Sequence, residues 1–315
     1  ILSASIVGSG ELIATTKLGA QAGFIAMWVI LVSCLVKVAV QLEFGKRAIM
    51  TGETTFASFN SLPGFKIGKA NWSVWTWLGL MLVKFLQVGG IVGLVAVLLN
   101  MAVPSLSVFW WLLIVVLAIS GIVVSGYYKV LEIMSVSMIG LFTLFTFFSL
   151  IALQNTEAAI SMGDVLSGLQ FKMPEGAEMT ILVIGAFGLT GVGGDEIMAY
   201  NYWLIEKGYA SNTGKNDGSE EWAIRARGWI KVMYIDAIFA MLVYTVVTVA
   251  FFLLGSAILH GKGDFEGGGK DFLENLSNLY TVTLGNWAEP FFYFGAFVVL
   301  FSTAFSALGL SLIHI

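Results

Sequence analysis

A seven-residue pattern of this chain returns, each time inside an apolar run: Gly8-Ser-Gly-Glu11-Leu-Ile-Ala14 and Gly193-Gly-Asp-Glu196-Ile-Met-Ala199 share glycine, glutamate and alanine at the first, fourth and seventh places. The same offset carries Gly23-Phe24 onto Gly208-Tyr209. Glycines around a carboxylate interrupt an apolar helix, and interrupted backbone is tolerated at membrane depth only where it lines a cavity or is buried in protein. A pair of such interruptions at corresponding places is the pattern of a membrane transporter built from internal repeats, with its substrate site at the breaks.

Composition agrees on the solvent. The chain is 58% hydrophobic and 11% charged, with a mean hydropathy of +0.89, whereas soluble domains carry about 25% charge. The lipid bilayer is therefore the expected surrounding. A net charge of −4 with no basic patch argues against nucleic acid as a partner. Cys34 is the single cysteine, so an intrachain disulfide or a cysteine metal cluster is excluded. Two histidines, His260 and His314, do not make a zinc-type site. No cofactor and no obligate protein partner is expected.

A span needs about 20 apolar residues, and eight runs qualify: 1–20, 23–45, 72–102, 107–125, 129–153, 179–205, 229–259 and 288–310. The region 1–310 reads as one transmembrane domain. The chain opens and closes inside apolar stretches, which reads as a transporter truncated after about eight spans. Residues 311–315, within Leu310-Ser-Leu-Ile-His-Ile315, resemble translated sequencing-adaptor sequence, so His314 carries no functional argument. Lys46, Arg47, Lys66, Lys69, Lys129, Lys207, Lys215, Arg225, Arg227 and Lys231 fall on one side of the bilayer. Lys17, Lys172, Lys262 and Lys270 fall on the other. The positive-inside rule makes the first side cytoplasmic and puts the N-terminus inside, in what reads as a bacterial inner (plasma) membrane. The first and sixth spans then run in opposite directions, the arrangement of a five-plus-five inverted repeat with discontinuous first and sixth helices.

The breaks place Glu11, Asp195 and Glu196 near the midplane, where an acid costs about 2.5–3.5 kcal/mol on insertion scales. Two readings stand. The acids, with freed carbonyls near Gly8, hold a cation; or they pair with the intramembrane Lys37 and Lys84. Lys37 with Gln41, and Lys84 with Gln87, each share a helix face and serve either as gate or counter-ion residues or as interhelical hydrogen-bonding groups. The 261–271 stretch, glycine-rich with three acids, lacks the one-three-five ligand spacing of a calcium loop and reads as a solvated connector. No nucleophile–base pair appears within the spans, so an enzyme is not expected.

At these residues the chain resembles the natural-resistance-associated macrophage protein (Nramp) family of divalent metal transporters. That family's first broken helix carries Asp-Pro-Gly-Asn and then Gly-Ala-x-x-Gly-Tyr; here stand Gly8-Ser9-Gly10-Glu11 and Gly19-Ala-Gln-Ala-Gly23-Phe24. Arg47-Ala-Ile-Met-Thr51-Gly52 and Tyr127-Tyr-Lys129-Val-Leu131-Glu132 resemble two further family motifs. The family's Met-Pro-His-Asn falls on Gly193-Gly194-Asp195-Glu196. The resemblance implies a metal-ion substrate, with a backbone carbonyl ligand at Thr190. The departures imply which metal: the thioether position is Gly193, the imidazole position is Asp195, one ligand position is Gly8 and another is the acid Glu11. Oxygen donors without sulfur suit Mg²⁺, Ca²⁺ or Mn²⁺. The expected substrate site is therefore Gly8, Glu11, Thr190, Gly193, Asp195 and Glu196, with Glu11, Asp195 and Glu196 on the metal, and alternating access as the mechanism. The alternative on the same fold is a cation-coupled transporter of an amino acid or another organic solute. A non-transporting sensor that kept the fold is the remaining rival.

Overall fold

The structure, a computed structural model, describes residues 8–125, 128–262 and 268–312. Tyr127, residues 263–267 of the glycine-rich connector and His314 lie outside them. Lipid offers no hydrogen bonds, so a spanning chain satisfies its backbone within each segment, and the described residues are helical apart from loops and one two-residue strand pair. Among the described residues, six helical stretches are long and apolar enough to cross a membrane: Gly10–Thr51, Trp72–Ala102, Val136–Leu153, Ala177–Glu206, Glu220–Leu259 and Ala288–Ala307, with a shorter apolar helix at Val108–Ile122. Of the four prolines, Pro63, Pro104 and Pro174 stand in connectors, and Pro290 stands in a helix's first turn, where no amide bond is lost.

The chain divides into two units. The first comprises residues 1–33, 88–191 and 243–315. It opens with a π-helical stretch, Gly10–Thr15, that runs on into α1 (Thr16–Ala22). A 3₁₀ turn at Gly23–Ala26 leads into α2 (Met27–Thr51), whose start belongs to this unit. A second π-helical stretch, Gly255–Leu259, packs against α1. Glycine makes that approach possible: a Cβ on Gly19 would lie 2.5 Å from the Phe252 carbonyl oxygen, and one on Gly255 would lie 2.5 Å from that of Thr16. Small residues that let backbones touch are a main source of helix association in lipid.

The same unit holds the second half of α4 (Trp72–Ala102), then α5 (Val108–Ser125), α6 (Tyr128–Leu153), α7 (Met162–Ser167) and α8 (Ala177–Leu189). The end of α11 (Glu220–Leu254), α12 (Gly269–Leu284) and α13 (Ala288–Leu312) complete it. Rings of Phe142, Phe145, Tyr280 and Phe292 pack together among α6, α12 and α13. The Tyr280 hydroxyl is spared a desolvation penalty by Thr146 Oγ1 at 2.8 Å. Helix α12 lies in a stretch that reads as a polar connector. Its buried Leu273, Leu276, Leu279 and Tyr280 recur at helical spacing, and Lys270 and Asp271 of the glycine-rich segment form its first turn.

The second unit comprises residues 34–87 and 192–242. It holds the rest of α2, then α3 (Thr55–Asn60), β1 (Lys66–Ile67), β2 (Ala70–Asn71) and the first half of α4. Helices α9 (Gly194–Glu206) and α10 (Tyr209–Thr213) and the start of α11 follow. β1 and β2 pair antiparallel, Lys66 opposite Asn71. Helix α11 begins nine residues before the apolar run because Ser219 Oγ accepts from Trp222 N (3.1 Å) in the manner of a helix cap, and Glu220 and Glu221 occupy the first turn. The α2–α3 connector is ordered by Arg47, which donates from Nε to Ser58 Oγ (2.7 Å) and from a terminal nitrogen to Glu53 Oε2 (2.9 Å).

Candidate functional site

Both copies of the repeated string close the same hydrogen-bonded loop. Gly8 N donates to Glu11 Oε2 at 2.9 Å, and Gly193 N donates to Glu196 Oε2 at 2.5 Å. A carboxylate three residues after the first amide is half of a capping box, and it satisfies a backbone donor that a starting helix leaves orphaned. The glycine–carboxylate repeat is therefore a repeated piece of structure.

In the first unit, Glu11 is 1% exposed. Its second oxygen, Oε1, accepts from Gly191 N at 3.3 Å, so the carboxylate spans the start of the π-helical stretch and the end of α8. Gly10 permits this: a Cβ there would meet the Leu189 carbonyl oxygen at 2.7 Å. Helix α8 ends at Thr190, which is extended, followed by Gly191 at a φ of +70° that favours glycine. Thr190 is fully buried. Ser33 of α2 serves the freed end of α8, donating to the Phe187 carbonyl at 2.7 Å, while Thr190 Oγ1 donates to Ser33 Oγ at 3.1 Å. The Thr190 carbonyl lies 3.4 Å from Ser33 Oγ, a long contact. Gly8, Glu11 and Thr190 thus belong to one local arrangement of backbone and carboxylate oxygens.

In the second unit, Gly193 stands at the N-terminus of α9, with Asp195 and Glu196 in the first turn, where the helix dipole favours negative charge. A Cβ on Gly193 would lie 3.0 Å from Asp195 Oδ1 and 3.3 Å from Glu196 Oε2, so glycine keeps open the space into which both carboxylates reach. Asp195 Oδ2 forms an ion pair with Lys84 Nζ of α4, and both side chains are 24% exposed. Lys84, Gln87, Gly194 and Asp195 share a cavity of about 590 Å³ with Trp72, Trp77 and Met198. Lys37 is half-buried on α2.

The structure thus groups Gly8, Glu11 and Thr190 in one unit, and Gly193, Asp195, Glu196, Lys84 and Gln87 in the other. Among the described residues no group of three or more His, Cys, Asp or Glu side chains is gathered closely enough to hold a metal ion. An ion at either break would complete its shell from carbonyls and water, the donor set of hard cations. Two supporting features escape sequence reading: Ser33 at the end of α8, and the Arg47–Ser58–Glu53 group. Glu53, six residues after Arg47, is a signal for the second; Ser33, in an ordinary apolar run, gives none. Asp236 of α11 makes no ion pair among the described residues.

No curated protein matches the chain. The sequence profile of the family described as natural resistance-associated macrophage protein-like matches residues 1–313. With its apolar helices, its helix broken at residues 190–193 and its repeated carboxylate caps, the chain is an integral membrane protein that belongs to the Nramp family of divalent metal transporters and has that family's inverted-repeat fold.

Proposed function

We propose that this chain is a secondary transporter of a hard divalent cation, Mg²⁺ or Mn²⁺, working by alternating access. Family membership implies divalent metal transport; the donor chemistry narrows it. The observation that carries this reading is the pair of carboxylate-capped breaks. Residues 8–11 and 190–196 contain no methionine, cysteine or histidine, so every side-chain donor there is oxygen. Soft-ion selectivity needs thioether or thiolate ligands, and oxygen sets suit Mg²⁺, Ca²⁺ and Mn²⁺. In this reading Glu11, Asp195 and Glu196 supply charge, Gly8 and Thr190 supply carbonyls, and Gly193 leaves room beside the α9 carboxylates. In this reading the N-terminus is cytoplasmic and the membrane is a bacterial inner (plasma) membrane; the basic connectors support that orientation.

The test is uptake by the purified chain in proteoliposomes, comparing Mg²⁺, Mn²⁺, Fe²⁺ and Ca²⁺ with and without a pH gradient. Saturable uptake of Mg²⁺ or Mn²⁺ in preference to Fe²⁺ is the expected result. A preference for Fe²⁺ contradicts the hard-ion assignment.

One observation favours a second reading. The cavity beside Lys84 has the size and aromatic lining of a small-molecule pocket, which spans about 300–1,000 Å³, and Lys84 neutralises one of the acids. A cation-coupled transporter of an amino acid or similar solute would use these features. Labelled amino-acid uptake by the same proteoliposomes, with no saturable uptake of any divalent ion, would establish it.

A further inference from the structure

We propose that Lys84 and the transported cation compete for the same Asp195 carboxylate, so that Lys84 is an internal counter-ion setting the affinity and release of the ion. The inference rests on the reading of Asp195 as a ligand of that ion.

Three features within the second unit carry it. The ion pair uses only Oδ2 of Asp195; Oδ1 faces the space beside Gly193, into which Glu196 Oε2 also reaches. The two carboxylates and the one ammonium together carry a single negative charge. Withdrawal of the ammonium leaves two, the charge of a divalent cation. Displacing one cation by another costs less than leaving the Asp195 charge uncompensated in a partly buried site.

Lys84 also has somewhere to go. It lines an approximately 590 Å³ cavity together with Gln87, three residues further along α4 and on the same helix face. The Gln87 side-chain oxygen is an acceptor for a displaced ammonium. A lysine suits such an exchange: its head is a compact charge on a flexible four-carbon stem, whereas a guanidinium grips a carboxylate bidentately. The exchange is between two cations. Lys84 is therefore a positioning residue that acts through Asp195.

The experiment measures equilibrium Mn²⁺ binding and Mn²⁺ uptake kinetics for the wild-type chain, Lys84→Gln, Lys84→Arg and Asp195→Asn. Removing the competitor is expected to tighten Mn²⁺ binding up to about fivefold, the span set by a partly exposed ion pair, while slowing turnover because release loses its internal replacement. Lys84→Arg is expected to weaken binding, since the stronger pair is harder to displace. Asp195→Asn is expected to weaken it too. A structural role for the pair would give the opposite order, with Lys84→Arg close to wild type and Lys84→Gln impaired; that order overturns the proposal. Should Lys84→Gln fail to fold, Lys84→Arg decides alone, and binding as tight as wild type counts against it. Unchanged binding in Asp195→Asn overturns the inference together with the ligand role of Asp195. Weakened binding in Asp195→Asn without the lysine effects overturns the inference and leaves the transport reading standing.

Discussion

Glu11 and Glu196 accept from the amide three residues before them, through the same oxygen, at the two copies of one string. Beyond that bond the two regions differ. Glu11 is 1% exposed and takes a second backbone amide, that of Gly191. The α9 acids are half-buried, and the charge beside Glu196 is met by the Lys84 side chain through Asp195. One break is tied by backbone, whose donors cannot swing away; the other is tied by a flexible side chain, whose donor can. The comparison assigns rigidity to the first break and adjustable charge to the second.

The largest expected effect comes from Glu11→Gln. The amide's NH₂ faces a backbone donor at one of its two contacts, which costs about 1–3 kcal/mol for a buried group left unmatched, and uptake falls at least about tenfold. The matching Glu196→Gln, with one such bond in a more open place, is expected to cost less stability. Thermal melting of the two purified variants checks the order, and equal losses would remove the contrast.

A second comparison uses glycines. Gly10→Ala drives a Cβ to 2.7 Å from the Leu189 carbonyl and is expected to cost about 1–3 kcal/mol. Gly194→Ala meets no atom within 4 Å and is expected to be neutral or to stabilise by up to about 1 kcal/mol through helix propensity. Ser33→Ala removes the hydroxyl from the Phe187 carbonyl, with a loss of about 1 kcal/mol.

The smallest effect lies away from both breaks. The Ser161 side chain, then its backbone amide, hold the Asp164 carboxyl below the ordinary carboxylate range at the start of α7. Because the folded value is the lower one, this stabilisation is present above the unfolded pKa and is lost as pH falls through the folded one. Melting of Asp164→Asn against wild type is expected to show a small difference at neutral pH that vanishes under acid. A difference that persists in acid would contradict it.

How much of this was legible beforehand follows from what each feature depends on. The two strings were readable because a midplane acid is rare and glycines stand beside it in both copies, and the three-residue spacing is itself a capping signal that sequence could have supplied. Apolar length drew the helices only in outline: α2 runs on to Thr51 and α11 begins at Glu220, both outside their apolar runs. Helix α12 was hidden because its first turn is glycine-rich and charged, although Leu273, Leu276 and Leu279 kept the helical period. The Lys84–Asp195 pair joins residues 111 apart; composition says that a membrane lysine seeks an acid, and only the fold says which. The π-helical stretches had no signal beyond the glycines that begin them, Gly10 and Gly255.

Equilibrium Mn²⁺ binding to the detergent-solubilised chain, wild type beside Glu11→Gln with folding confirmed by melting, tests the central claim most directly. Saturable binding by the wild type that weakens at least about tenfold in Glu11→Gln is the expected result. Equal affinity in the two proteins would mean that Glu11 only caps the backbone and that the ion is held elsewhere.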